Sequence, residues 1–106
     1  MKIEAAEVVL HLRIRVKADQ QPAFQTYLRE ALPVFEAQGD CQGVVYVDAD
    51  DPESFDEVFY YASEAAYQAG ERAIRENETQ IALLARWRAL LDGPPQVSVQ
   101  RRYACS

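Results

Sequence analysis

Ten consecutive residues near the start of the chain alternate without a fault, and this pattern limits the fold more than any other feature. Val8, Leu10, Leu12, Ile14 and Val16 fall on one side, and Val9, His11, Arg13, Arg15 and Lys17 fall on the other. A period of two belongs to a β-strand with one face in a core and one face turned away from it. A chain that begins this way needs a sheet, and the sheet needs something to cover its oily side.

The segments that follow supply both. Asp19 is placed to cap a helix, with Pro22 in its first turn, where a missing N–H costs little. Phe24, Leu28, Ala31, Leu32 and Phe35 then recur at helical spacing. Pro33 predicts a kink or a fresh turn, and Gly39 a stop. Gly43 to Val47 reads as a second strand, the Asp- and Pro-rich stretch 48–53 as a turn, and Phe55 to Ala62 as a third strand, which together make a β-hairpin. From Ser63, a good N-cap, to Leu91 the only breaker is Gly70, so one long helix is expected, bent or interrupted there if anywhere. Its early part, Glu71 to Glu78, is polar and expected in solvent, while Ile81, Leu84, Trp87 and Leu91 form its apolar stripe. Asp92-Gly93-Pro94-Pro95 closes it, and Val97 to Tyr103 reads as a fourth strand.

The order β-α-β-β-α-β is the split βαβ pattern of the ferredoxin-like α+β fold, an antiparallel four-stranded sheet with two helices on one face. The 106 residues fit one such domain spanning 1–106. Strand one leaves a polar outer face, but Val44-Val45-Tyr46-Val47 and Val58-Phe59-Tyr60-Tyr61 are apolar at consecutive positions. Both faces of those strands need cover, and a second copy of the chain is the simplest source, so a homodimer is expected.

Charge and composition exclude several classes. With 17 acidic and 11 basic side chains the formal net charge is -6, a field that repels nucleic acid. No apolar run reaches the ~20 residues of a membrane span. Met1-Lys2-Ile3-Glu4 opens no leader-like apolar stretch, so a cytoplasmic protein is expected, with Cys41 and Cys105 as reduced thiols. The lone histidine, His11, has no ligand set around it, and Asp48, Asp50, Asp51 and Glu53 fail the EF-hand pattern, so no metal is expected. There is no glycine-rich phosphate loop.

Short phrases in the chain resemble a known family. Gly39-Asp40-Cys41-Gln42-Gly43 before strand two, the Asp51-Pro52 turn and the ending Leu90-Leu91-Asp92-Gly93-Pro94-Pro95-Gln96-Val97 are similar to those of the dimeric α/β-barrel superfamily, and within it to antibiotic biosynthesis monooxygenase-like domains. That resemblance implies oxidation of an aromatic or quinone-like compound by O₂, often without flavin or metal, with haem degradation in some relatives; no cofactor is expected here. Many members carry a Glu on strand three, two residues before an aromatic, and a His in the next helix. Here Tyr61 fits the aromatic, while the Glu position falls on Phe59 and the His position near Gly70.

The residues that could act in such chemistry are His11 as a base or hydrogen-bond partner, Arg13 for a substrate anion, Tyr61, and Asn77 as an amide that polarises a carbonyl. Arg15, Tyr60 and Trp87 are the candidate lining of a pocket for a small aromatic or anionic ligand. The structural readings stand beside these: Trp87 as core, and Arg13 and Arg15 in ion pairs with hairpin acids such as Asp56 or Glu57. A catalytic domain, a non-catalytic ligand-binding domain and a purely structural or accessory dimer all fit the sequence.

Overall fold

The computed structural model describes residues 2–37 and 39–103. Four strands, β1 (Val8–Arg15), β2 (Cys41–Val47), β3 (Ser54–Tyr61) and β4 (Gln96–Arg101), form one sheet in the order β2-β3-β1-β4. All neighbours are antiparallel. Three helices, α1 (Gln21–Glu36), α2 (Glu64–Glu76) and α3 (Glu78–Leu90), pack on one face, which is the ferredoxin-like α+β arrangement. All four expected strands are present, with β1 ending at Arg15 rather than Lys17, β2 opening at Cys41 rather than Gly43, β3 running over Ser54–Tyr61, and β4 ending at Arg101 rather than Tyr103.

Register sorts every strand residue onto a face, because partners across a ladder point the same way. Leu12 pairs with Glu57 and Val97, and Glu57 with Val45, so these four share the inner face with Val8, Leu10, Ile14, Phe55, Phe59 and Tyr61. His11, Arg13, Arg15, Asp56, Val58 and Tyr60 share the outer one with Val44 and Tyr46. The inner face meets Phe24, Tyr27 and Ala31 of α1 and Leu83 and Trp87 of α3 in the main core. Edge-to-face ring pairs, Phe24 with Phe55 and Phe35 with Phe59, lock α1 to β3.

Three local expectations are corrected. Asp19 does not cap α1; it lies in a short 3₁₀ turn, Ala18–Gln20, and Gln20 at the N-cap makes no side-chain bond. The hairpin caps the entry instead, with Glu53 accepting from the Ala18 N–H at 2.8 Å and Gln21 donating to the Pro52 carbonyl at 2.9 Å. Pro33 neither kinks nor restarts α1, which runs on to Glu36. Its ring lies on the exposed side, where only one backbone bond is lost while Phe24, Tyr27 and Ala31 hold the opposite side in the core.

The third correction concerns the long helix. It passes through Gly70 unbroken and breaks at Asn77, which adopts extended backbone (φ -86°, ψ 120°). The Asn77 N–H closes α2 on the Ala73 carbonyl, and its side-chain oxygen caps α3 through the Gln80 N–H at 3.1 Å. One residue thus ends one helix and starts the next, a task asparagine performs well. Ser63 caps α2 as expected, accepting from the Ala66 N–H at 3.1 Å.

Gly43 shows how closely α1 approaches the sheet. A Cβ there would stand 2.9 Å from Leu32 Cδ2 and 3.0 Å from Phe59 Cε1. Gly43→Val is expected to destabilise the domain by ~2–3 kcal/mol through overpacking, read as a lower urea midpoint at unchanged slope.

Candidate functional site

Between the inner sheet face and the helices lies a cavity of about 210 Å³. Leu10, Leu12, Phe59 and Val97 form its floor, Tyr27 and Phe35 come from α1, Gly70 and Ile74 from α2, and Leu84 and Trp87 from α3. The exposed residues of its lining, Arg88 and Val97, mark its open side. The stretch expected to project into solvent thus helps roof a pocket, through Glu71 and Ile74 beside Gly70. Gly70 is needed there because a Cβ would come within 3.0 Å of the Tyr61 ring.

Into this mostly apolar space the sheet delivers one carboxylate, Glu57, beside Glu71 from α2. Inner positions of β3 read Phe55, Glu57, Phe59, Tyr61, so strand parity alone carries Glu57 inside with three aromatics. It is 3% exposed, and its Oε2 accepts a hydrogen bond from the Trp87 indole N–H. Burial pushes its carboxyl up from 4.5 to about 7, and the Trp87 bond works in the opposite sense by favouring the anion. A group with that value exchanges protons near neutrality, which is what general acid–base work requires.

The residues read from the sequence separate into two groups. Tyr61 and Trp87 line the cavity together. His11, Arg13, Arg15 and Tyr60 stand on the opposite face of the sheet, with the sheet between them and the cavity. There Arg13 grips Asp56 with two bonds, at 3.0 and 3.2 Å, and His11 Nε2 lies 3.5 Å from the same carboxylate. Arg15 reaches Asp51 at 2.8 Å and Glu53 at 3.4 Å. Arg13 and Arg15 hold Asp56 and Asp51 below the usual carboxylate range. The ion-pair reading of the arginines is the one observed, but with Asp56 and not Glu57, which points the other way. Asn77 is occupied as the cap of α3 and does not line the cavity.

Sequence reasoning read Glu57 as an ion-pair acid and not as a pocket residue, and it passed over Gln80 and Tyr27. The signal for Glu57 was its parity with Tyr61. For Gln80 it was the spacing Gln80-Leu83-Trp87, which makes the buried stripe of α3, whereas Ile81, assigned to that stripe, is 44% exposed. The carboxylate sought at Phe59 therefore exists one inward position earlier. Cys41 is a free, half-buried thiol pushed up to about 11, chiefly by burial, so it is not an activated nucleophile. Cys105 lies outside the described residues. Among the described residues no three His, Cys, Asp or Glu side chains converge as a metal site, and no helix is long and apolar enough to cross a membrane.

Sign matters for what Glu57 does to stability. Between about 4.5 and 7 the unfolded carboxyl ionises while the folded one keeps its proton. Stability is therefore favoured below this window and declines as pH rises through it. Glu57→Gln keeps an acceptor for Trp87 and removes the charge. It is expected to be more stable than the parent at pH 8 by ~2–3 kcal/mol and equal to it near pH 4, measured by denaturant unfolding at both pH values.

No protein-family model matches the chain, and no curated protein does. Solved structures do. Rv0793 from Mycobacterium tuberculosis aligns over 95% of this chain and 99% of its own, at 20% identity and a TM-score of 0.74. SnoaB, a cofactor-independent oxygenase from Streptomyces nogalater, aligns over 94% of this chain and 96% of its own, at 13% identity and 0.77. An antibiotic biosynthesis monooxygenase aligns over 92% of this chain and 99% of its own, at 15% and 0.73. Agreement of this extent at such low identity is agreement of backbone, strand order and helix placement. The chain has the fold of the antibiotic biosynthesis monooxygenase-like domains.

Proposed function

We propose that this protein binds a small hydroxylated aromatic compound in the inner cavity and oxidises it with O₂ without a cofactor, Glu57 managing the proton. The observation that carries this reading is Glu57 itself, a 3% exposed carboxyl near pKa 7 in an apolar, aromatic-lined cavity. SnoaB, a cofactor-independent oxygenase that shares the fold, is in keeping with it.

The chemistry divides as follows. Glu57 takes the proton of an acidic hydroxyl or ring CH₂, leaving a delocalised anion whose electrons pass to O₂. A C–O bond forms, giving a hydroperoxide at the ring carbon. Loss of water from it leaves a carbonyl, with one oxygen atom in the product and the other in water. Substrate CH₂ plus O₂ becomes C=O plus H₂O, so atoms and electrons balance. Trp87 holds the carboxylate in place, and the apolar wall excludes water from the anion. Tyr61 and Tyr27 supply ring faces against which a flat ligand stacks.

The same reading includes a homodimer formed through the outer face. Val9, Val44, Val58, Tyr46 and Tyr60 lie on neighbouring outer positions that no helix covers, and Tyr46 is 48% exposed. The ion pairs of Arg13 and Arg15 flank this patch and leave their charges neutralised for burial. Tyr46→Glu is expected to give a folded monomer by sedimentation velocity; a wild-type chain that sediments as a monomer would refute the dimer.

Oxygen uptake tests the oxidation, using a panel of phenols, naphthols and quinols. Uptake is expected to rise with pH through an inflection near 7, and in Glu57→Gln to fall by about a hundredfold and lose that inflection. Ligand binding with no uptake for any member would leave a binding protein and remove the oxygenase.

A further inference from the structure

Beside Glu57 and the hydroxyls of Tyr27 and Tyr61, the cavity is lined by one buried amide, Gln80, and the chemistry above leaves it unused. It is 2% exposed and lines the same cavity as Glu57 and Trp87. Its place at the third position of α3, after an Asn cap, is that of a capping box, in which a Gln side chain turns back to the N–H of the cap residue. That role is closed here, because the Asn77 N–H is already given to the Ala73 carbonyl. Only the backbone N–H of Gln80 is engaged, by the Asn77 side chain.

Among the described residues, neither end of the Gln80 amide has a hydrogen-bond partner within the protein. Yet no fully enclosed side-chain nitrogen or oxygen among those residues lacks a partner. The amide must therefore keep an open side, and the cavity it lines is that side. A buried amide without partners lowers stability, so a Leu would serve better if packing were the only demand. The Trp87 N–H is committed, since it donates to Glu57, which leaves the Gln80 amide and the Tyr27 and Tyr61 hydroxyls as the other polar groups of the lining.

Size limits what the amide can meet. A cavity of about 210 Å³ exceeds the ~150 Å³ hole that accepts a benzene. It is smaller than the ~300–1,000 Å³ pockets of drug-sized ligands. One or two rings fit. Chemistry limits it further. When Glu57 removes a hydroxyl proton, charge spreads to any carbonyl conjugated with that oxygen, and a fixed N–H at that point stabilises the anion as it forms.

We infer that Gln80 determines specificity at this site, its amide N–H donating to the carbonyl of a mono- or bicyclic hydroxyaryl ketone whose hydroxyl meets Glu57. This rests on the proposed role of Glu57, and the two can fail separately. Gln80 acts by contact with the ligand and takes no proton.

Isothermal titration calorimetry of the full chain with 6-hydroxy-1-tetralone and with 5,6,7,8-tetrahydro-2-naphthol, the same bicycle without the carbonyl, tests it. The parent protein is expected to bind the tetralone about tenfold more tightly than the tetrahydronaphthol. Gln80→Leu is expected to abolish that preference, to leave tetrahydronaphthol affinity within about twofold, and to raise the melting temperature. Gln80→Met serves the same purpose should the Leu variant fold poorly. Equal weakening of both ligands, no preference in the parent protein, or no binding of either ligand overturns the inference. So does a Gln80→Leu variant that is stabilised but keeps the preference, since the amide would then hold only a water. Glu57→Gln separates the two ideas: loss of the pH dependence of tetralone binding near 7 in that variant, with Gln80→Leu silent, rejects Gln80 alone. An unchanged pH dependence in Glu57→Gln, with the carbonyl preference lost in Gln80→Leu, rejects the role of Glu57 alone.

Discussion

The hydrogen bond from the Trp87 indole to Glu57 joins the middle of the sheet to the last helix, and much of the inner architecture is arranged around it. A carboxylate taken out of water is tolerated only when something compensates it. Here the compensation is a single N–H donor and the option of holding a proton near neutral pH. Trp87 is 4% exposed and belongs to the main core with Phe24, Tyr27 and Leu83, so the donor cannot swing away. The position of α3 over β3 and the ionisation of Glu57 are in this way one problem with one solution.

The sheet keeps two kinds of chemistry apart. On the inner face, aromatic rings and one carboxyl surround a cavity. On the outer face, Arg13, Arg15 and His11 meet Asp51, Glu53 and Asp56 in paired, largely exposed contacts. Exposed pairs of this kind contribute little to stability one by one. Their effect is to leave the outer arginines satisfied, so that the inner cavity owes its charge to Glu57 and to the rim residues Glu71 and Arg88. A strand slipped by one residue would exchange the faces and put Asp56 where Glu57 now stands.

Asn77 shows how a local choice reaches the site. By ending α2 and capping α3 it lets the second half of the helical run change direction, which brings Leu84 and Trp87 over the cavity while Gly70 and Ile74 close it from the other side. Its use of the Ala73 carbonyl also frees the Gln80 side chain from the reciprocal bond it would otherwise make. The sequence contains this break as an Asn followed by an acidic first turn, a weaker sign than the Gly seven residues earlier. Gly70 instead gives room to the Tyr61 ring, which a Cβ would approach to 3.0 Å.

What the sequence determined by itself is the set of elements and their order. Alternation over Val8 to Lys17, the apolar spacing of α1, the acidic hairpin turn and the Gly-Pro close after Leu91 each depend on neighbours within a few residues. Such neighbours impose a period that can be read directly. Parity along β3 even held the inward direction of Glu57, although its partner did not show. Tertiary structure alone decided that Glu57 meets Trp87 thirty residues later, that His11 and Arg13 lie across the sheet from Tyr61, and that Gln80 turns inward in place of Ile81. Those outcomes depend on which faces are brought together once the helices settle on the sheet. Burial, and with it the ionisation of Glu57, is a property of that assembled interior and of no segment taken alone.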